Sequence, residues 1–317
     1  MVCNESLVLT QSSTTRDNAA AYFKPPNVVC SVVIVCFHSG EKLESCLRSL
    51  LAGTCAESAG LEAVVVNNSA SDEAEIAAIC ATYGAVFVQN PANLGYGNGC
   101  NAGAAKAGGD LLMFLNPDVR ITPGDVSELV ALFGQAPDLV ALGPMQQSPS
   151  GRIRSKRCAV GQTKRADRKD SSAALMETGF LSGGALMVRR DAFDRIGGFD
   201  DAIFLFHEDD DLCLRLAKLG RLAYARHVVV QHDWGGSTPP SPEVTRARLW
   251  HQGYSKVQVL RKHYGDKAVR TALFEAMLKF ASPAMLTSRG RRKARAFMGG
   301  VVAGLRQSGP LNGYVPA

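Results

Sequence analysis

Between residues 31 and 143 short apolar, β-branched runs alternate with segments whose apolar residues recur at helical spacing. SVVIVCF (31–37) is followed by EKLESCLRSLLAG, with Leu43, Leu47, Leu50 and Leu51 on one helical face. LEAVVV (61–66), AVFVQN (85–90), DLLMFLN (110–116) and LVALG (139–143) repeat the strand pattern, with helical segments between them. Strands that are apolar on both faces need cover on both faces, and helices between consecutive strands supply it. The expected class is therefore α/β, a mostly parallel central sheet flanked by helices.

Beyond Pro144 the pattern changes. Residues 148–172 are polar and basic and read as a surface loop, GGALMVRR (183–190) as a strand, HEDDDLCLRLAKLG (207–220) as a helix and RLAYARHVVVQH (221–232) as a strand. From Pro242 the chain reads as helical. The expected organisation is a polar arm over 1–27, a catalytic domain over 28–240 and a helical extension over 241–317. At 317 residues, 46% of them hydrophobic, the chain has material for a large core and is not a disordered or collagen-like chain. Nine scattered cysteines without a CxxC indicate neither a disulfide framework nor a zinc site. No stretch reads as a signal peptide or a membrane span, so a reducing, cytoplasmic compartment is expected.

In open α/β sheets ligands bind beyond the carboxyl ends of the strands, where loops and helix N-termini converge. Three strands here end in polar tips: Phe37-His38-Ser39, Asn67-Asn68-Ser69 and Asn116-Pro117-Asp118. Together they indicate a nucleotide-type pocket. The Gly-rich segment 93–103 formally contains GxGxxA, but it does not follow the first strand, which weakens a dinucleotide reading. Glu208-Asp209-Asp210-Asp211 has two readings: acids favoured by a helix N-terminus, or crowded carboxylates whose raised pKa suits a general base. His232, leaving a strand into a Gly-rich turn, pairs with Asp118 as candidate metal ligands.

In order, the segments SVVIVCFHSGEKLESCLRSLL, VVVNNSASD, NPANLGYGNGCNAG, LLMFLNPDV, FLSGGALMVRRDAFDRIGGFDDAIFLFHEDDDLCLRL and VVVQHDWGGST resemble the inverting family-2 glycosyltransferases, in particular their rhamnosyltransferase-like branch. The resemblance spans roughly 28–240. It implies the GT-A fold of nucleotide-diphospho-sugar transferases, with a mixed sheet. It further implies that Phe37, His38 and Asn67 hold the nucleoside and that Gly95 approaches the diphosphate or ribose. Asn116-Pro117-Asp118 stands in place of the family's Asp-x-Asp motif, so Asp118, with His232, would bind a divalent metal, Mn²⁺ or Mg²⁺. Asp209 matches the catalytic base, and Gly183, Gly184 and Glu208 would face the donor sugar or acceptor. Asn67 departs from the family's usual aspartate. Because an amide donates as well as accepts, this implies altered base recognition.

The implied activity is transfer of a sugar, a deoxyhexose such as L-rhamnose, from a dTDP- or UDP-sugar to a polysaccharide or polyprenyl-diphosphate-linked glycan. A non-catalytic sugar-nucleotide-binding relative is the alternative. Thirty-five Lys and Arg against 29 Asp and Glu give a net charge of +6, and no acid occurs from Arg289 onward. The basic, partly amphipathic tail suits peripheral contact with the inner face of the cell membrane. Without interleaved aromatics or a known module, the basic segments do not indicate nucleic-acid binding.

Overall fold

The computed structural model describes residues 28–52, 60–156, 158–162, 173–234, 241–280 and 283–306. The arm expected over 1–27, residues 157 and 163–172 of the expected basic loop, residues 235–240 and residues 307–317 of the tail lie outside the described residues.

Strand β1 (Cys30–Cys36) leads into helix α1 (Gly40–Leu50), β2 (Leu61–Asn67), α2 (Glu73–Tyr83), β3 (Val86–Gln89), α3 (Tyr96–Ala104) and β4 (Leu111–Leu115). A two-residue strand β5 (Val119–Arg120) precedes α4 (Pro123–Gln135), β6 (Leu139–Gln147), β7 (Ile153–Arg154), β8 (Leu175–Glu177) and β9 (Ala185–Arg189). Two short helices, α5 (Arg190–Arg195) and α6 (Glu208–Leu216), come before the long strand β10 (Arg221–His232). Helix α7 (Pro242–Phe280) breaks at Gly265, whose φ of 73° is left-handed, and a 3₁₀ turn leads into α8 (Ser288–Leu305).

The sheet runs β3-β2-β1-β4-β9-β6-β10-β5, with β7 on β6 and β8 on β10. The pairs β1–β2, β1–β4, β2–β3 and β6–β10 are parallel, whereas β9 is antiparallel to both β4 and β6. The sheet is therefore mixed. The short strands β5, β7 and β8 carry too few residues for a periodic signal and were not read from sequence. β5 matters nonetheless: its antiparallel pairing places Val119 opposite His232, so the end of β10 lies beside the end of β4.

β1 shows why the sheet is buried on both faces. Val32, Ile34 and Cys36 join the core formed with α1, α2 and α4, while Val33 and Val35 face the core formed with α3, α5 and α6. Cys30, Cys36, Cys46, Cys80, Cys100 and Cys213 are all buried, and burial pushes their thiols up, to about 12 for Cys30 and Cys36. They pack as small hydrophobes and are poor nucleophiles. A third, smaller apolar cluster (Val257, Leu260, Val269, Ala276, Phe297 and Val301) joins α7 to α8. Ile34 is fully enclosed at the centre of the sheet. Ile34→Ala is expected to lower stability by about 2–5 kcal/mol in chemical denaturation.

Candidate active site

A cavity of about 300 Å³ opens at the carboxyl ends of β1 and β4. Phe37 lines it from the β1 tip, Asn116 and Pro117 from the β4 tip, and Gly95 from the N-terminus of α3. Gly183 and Gly184 line it from the approach to β9, and Glu208 and Asp209 from the first turn of α6. Gly95 has φ 86°, and a Cβ there would sit 2.1 Å from the Phe204 carbonyl oxygen, so no larger residue fits. A Cβ at Gly184 would meet the His232 ring at 2.6 Å. The glycine thus admits the imidazole to the sheet edge.

Asp118 and His232 lie just behind Asn116 and Pro117, both buried, with His232 Nε2 3.2 Å from Asp118 Oδ1. Gln146 Oε1 lies 2.8 Å from His232 Nδ1, which orients the ring with Nε2 toward Asp118. An imidazole nitrogen and a carboxylate oxygen suit a divalent cation that takes its remaining ligands from a diphosphate and water. Among the described residues no three His, Cys, Asp or Glu side chains form a complete protein cage.

Asn67 and His38 lie behind the cavity wall. Asn67 is fully buried: its amide donates to Ser69 O, Asp72 Oδ1 and Gln89 Oε1, and its Oδ1 accepts from the Ser69 N–H. Asp72 also accepts from the His38 backbone N–H at 3.1 Å. A carboxylate, Asp72, thus stands beside Asn67, held by its amide and by the β1 tip. His38, Phe206, His207 and Trp234 are the non-glycine residues with positive φ among those described, and all lie at the strand and helix ends around the site. Such strain is tolerated where surrounding structure holds it, commonly at functional sites.

The four consecutive acids divide into two pairs. Burial alone would raise the Asp210 carboxyl, but His207 and Lys156 hold it below the usual range: His207 Nδ1 and Lys156 Nζ lie 2.8 and 2.7 Å from its oxygens. Burial acts on Asp211 in the same way, and Lys262, Arg215 and His263 overcome it from 2.8, 2.6 and 2.7 Å. Among the described residues no cation is ion-paired with Glu208 or Asp209, although Lys156 and His207 partly offset the rise at Asp209. Burial, then the neighbouring Asp209, holds Glu208 well above the carboxylate range. Asp209 is half-buried, and burial with the adjacent Asp210 pushes it up to about 6. Its Oδ2 accepts from the Gly183 N–H at 3.3 Å and its Oδ1 from the Asp210 N–H, which fixes its orientation beside the cavity.

Sequence reasoning missed the far wall. Val244, Ala247, Arg248 and His251 of α7 line the same cavity, with the His251 ring 4.8 Å from the Phe204 ring. Burial pushes His251 down to about 4, so it is neutral at physiological pH, and its Nδ1 has no hydrogen-bond partner. The spacing i, i+3, i+4, i+7 marks these four residues as one helical face, but nothing in the sequence says what that face covers.

A mixed sheet of this kind, with a cavity at its carboxyl edge and an Asp–His pair beside it, is the architecture that the resemblance to GT-A transferases implies. Comparison with known proteins agrees. The profile described as "Glycosyl transferase family 2" matches residues 31–197. The N-acetylglucosaminyl-diphospho-decaprenol L-rhamnosyltransferase of Mycobacterium tuberculosis is 31% identical over 68% of this chain and 79% of its own length. The rhamnosyltransferase WbbL of Escherichia coli is 26% identical over 60% of this chain and 81% of its own. Among solved structures, the Pyrobaculum calidifontis mannosyltransferase PcManGT, in complex with GDP-Man and Mn²⁺, superposes with TM-score 0.53 at 14% identity, covering 88% of this chain and 87% of that one. GalNAc-T7 with UDP, GalNAc and Mn²⁺ gives 0.57 at 18%, covering 91% of this chain and 59% of that one. The chain belongs to glycosyltransferase family 2 and is of the rhamnosyltransferase-like kind.

Asp211 ties α6 to α7, and losing its charge leaves the half-buried Arg215 guanidinium without its carboxylate partner, whereas Lys262 retains Asp200. The stabilising contribution of Asp211 is present above the ordinary carboxylate pKa and is lost as pH falls through its depressed folded value. Asp211→Asn is expected to cost about 3–5 kcal/mol at neutral pH by chemical denaturation, with a smaller further loss on acidification than in wild type.

Proposed function

We propose that this glycosyltransferase is inverting and metal-assisted. It would move a deoxyhexose such as L-rhamnose from a dTDP- or UDP-linked donor to a polyprenyl-diphosphate-linked glycan or growing polysaccharide. The catalytic unit is taken as 28–240 and the helical extension as 241–317, with α7 closing the pocket. The observation that carries the reading is Asp209, a carboxylate raised to about 6 and bordering a cavity whose other edge lies beside Asp118 and His232.

The donor's nucleoside would rest against Phe37, in front of the His38–Asn67–Asp72 network, and its diphosphate would approach Gly95 and Asn116. A divalent cation bound by Asp118 and His232 would neutralise charge on the departing diphosphate. Gly183 and Gly184 leave room for the sugar ring, and Glu208, held protonated, is able to donate a hydrogen bond to a sugar or acceptor hydroxyl. Asp209 then removes the proton from the acceptor hydroxyl as that oxygen attacks the anomeric carbon opposite the leaving group. One displacement inverts the centre. The acceptor class is supported by the rhamnosyltransferase of M. tuberculosis, whose name specifies a diphospho-decaprenol-linked sugar.

General-base help contributes about 10²–10⁴-fold. Asp209→Asn is therefore expected to reduce turnover by at least about 10²-fold in a nucleoside-diphosphate release assay while donor affinity stays near wild type; undiminished turnover would remove Asp209 from the role. Wild-type turnover should rise with pH through about 6, because the protonated acid accepts no proton. Since the fold disfavours ionised Asp209, its stability contribution declines as pH rises through that value. Asp209→Asn should accordingly melt higher than wild type at neutral pH, which separates loss of the base from misfolding.

A further inference from the structure

A second cavity, of about 680 Å³, lies between the N-terminal turns of α7 and α8. Arg246, Arg289, Arg292, Lys293 and Arg295 line it, against the single acid Glu243, whose carboxylate is bonded to Ser241. No carboxylate among the described residues pairs with Arg289, Arg292, Lys293 or Arg295. Five cations around one concavity repel one another, an arrangement that an anionic ligand relieves.

The path of the helices places this cavity at one end of the extension. α8 runs parallel to the first half of α7, since Gly300 meets Trp250 and Gly304 meets Val257. Between them α7 reverses at Gly265, and Val269 and Ala276 return to the cluster containing Leu260 and Phe297. About 15 residues of return, at 1.5 Å per residue, bring the end of α7 back level with Leu249. Met277, Leu278 and the 3₁₀ residue Leu286 therefore stand at the same end as the basic cavity, with Phe274 about one turn away. They are exposed large hydrophobics, Leu286 at 84% and Met277 at 58%. Opposite faces of α7's first turns serve the two cavities: Arg246 and Leu249 line the basic one, Ala247 and Arg248 the catalytic one.

We infer that this end of the helical extension is a docking surface for an anionic phospholipid bilayer. The basic cavity receives the phosphates of the headgroups, and Met277, Leu278 and Leu286 enter the boundary of the acyl region. Charge selects the partner: exposed apolar side chains beside a cavity rich in Arg and Lys match a surface that is anionic at the headgroups and apolar beneath them. The inference is independent of which sugar is transferred, and its test uses binding alone.

The test is flotation of the full-length protein with phosphatidylcholine vesicles, with and without phosphatidylglycerol. Binding is expected only with phosphatidylglycerol and should weaken as salt rises. Arg292→Ala combined with Lys293→Ala should weaken it about 30-fold, equivalent to about 2 kcal/mol for two basic residues at an anionic surface. Leu286→Asp should also weaken it, and circular dichroism should find both variants folded. Equal binding to both vesicle types, or unchanged binding in both variants, would overturn the inference. So would tighter binding to random DNA, or binding of inorganic pyrophosphate without binding to vesicles, which would make the cavity a site for another anion. Failure here would leave turnover and its dependence on Asp209 intact, so the two readings fail separately.

Discussion

Four carboxylates in succession within one helical turn cannot all be buried and ionised, and much of the site follows from how the fold resolves this. Asp210 and Asp211 receive partners from outside the turn: the Lys156 ammonium from the loop after β7, and the Lys262 ammonium and His263 ring from α7. Asp211 is thereby a joint between the catalytic helix and the extension, and Arg215 carries the joint further by donating to the Ile196 and Gly198 carbonyls. Glu208 and Asp209 have no ion-paired cation among the described residues, and burial raises their affinity for protons. Environments that push neighbouring carboxyls in opposite directions separate structural from chemical duty within a single turn.

Backbone fit does the rest. A GT-A site requires the ends of β1, β4 and β10 to meet. That depends on β9 running antiparallel between β4 and β6, and on the two-residue strand β5 locking the end of β10 beside Asp118. Gly95 and Gly184 are where the chain approaches itself too closely for a side chain: one under the Phe204 carbonyl, the other under the His232 ring. The strained residues His38, Phe206, His207 and Trp234 occur in the segments that turn the backbone toward the site.

Much of this was legible in the sequence. The buried strands announced themselves by continuous β-branched runs, and β10 was read to its exact ends because the apolar run is long and bounded by Gly220 and Asp233. The strand tips and the acidic turn were equally visible as polar residues at the ends of those runs. What stayed hidden depends on tertiary placement. Asn67 was expected to face the nucleoside, yet its hydrogen bonds are consumed by Ser69, Asp72 and Gln89, and a buried amide goes to whichever partners the loop supplies. The acidic run was ambiguous because, besides the local partners His207 and Arg215, Asp210 and Asp211 are held by Lys156 and His263, which lie more than 50 residues away along the chain. Arg248 and His251 were missed because α7 carries no motif, only a face, and the reversal at Gly265 within a long helical sequence carries no proline or cluster of turn residues to mark it.

The central claim is a single displacement assisted by one carboxylate. The most direct measurement is the anomeric configuration of the product's new linkage, read by nuclear magnetic resonance after reaction with a donor of known configuration. The account predicts inversion, with the new bond on the opposite face from the departing diphosphate. Retention would require a second nucleophile or attack from the same face, and would contradict the role assigned to Asp209.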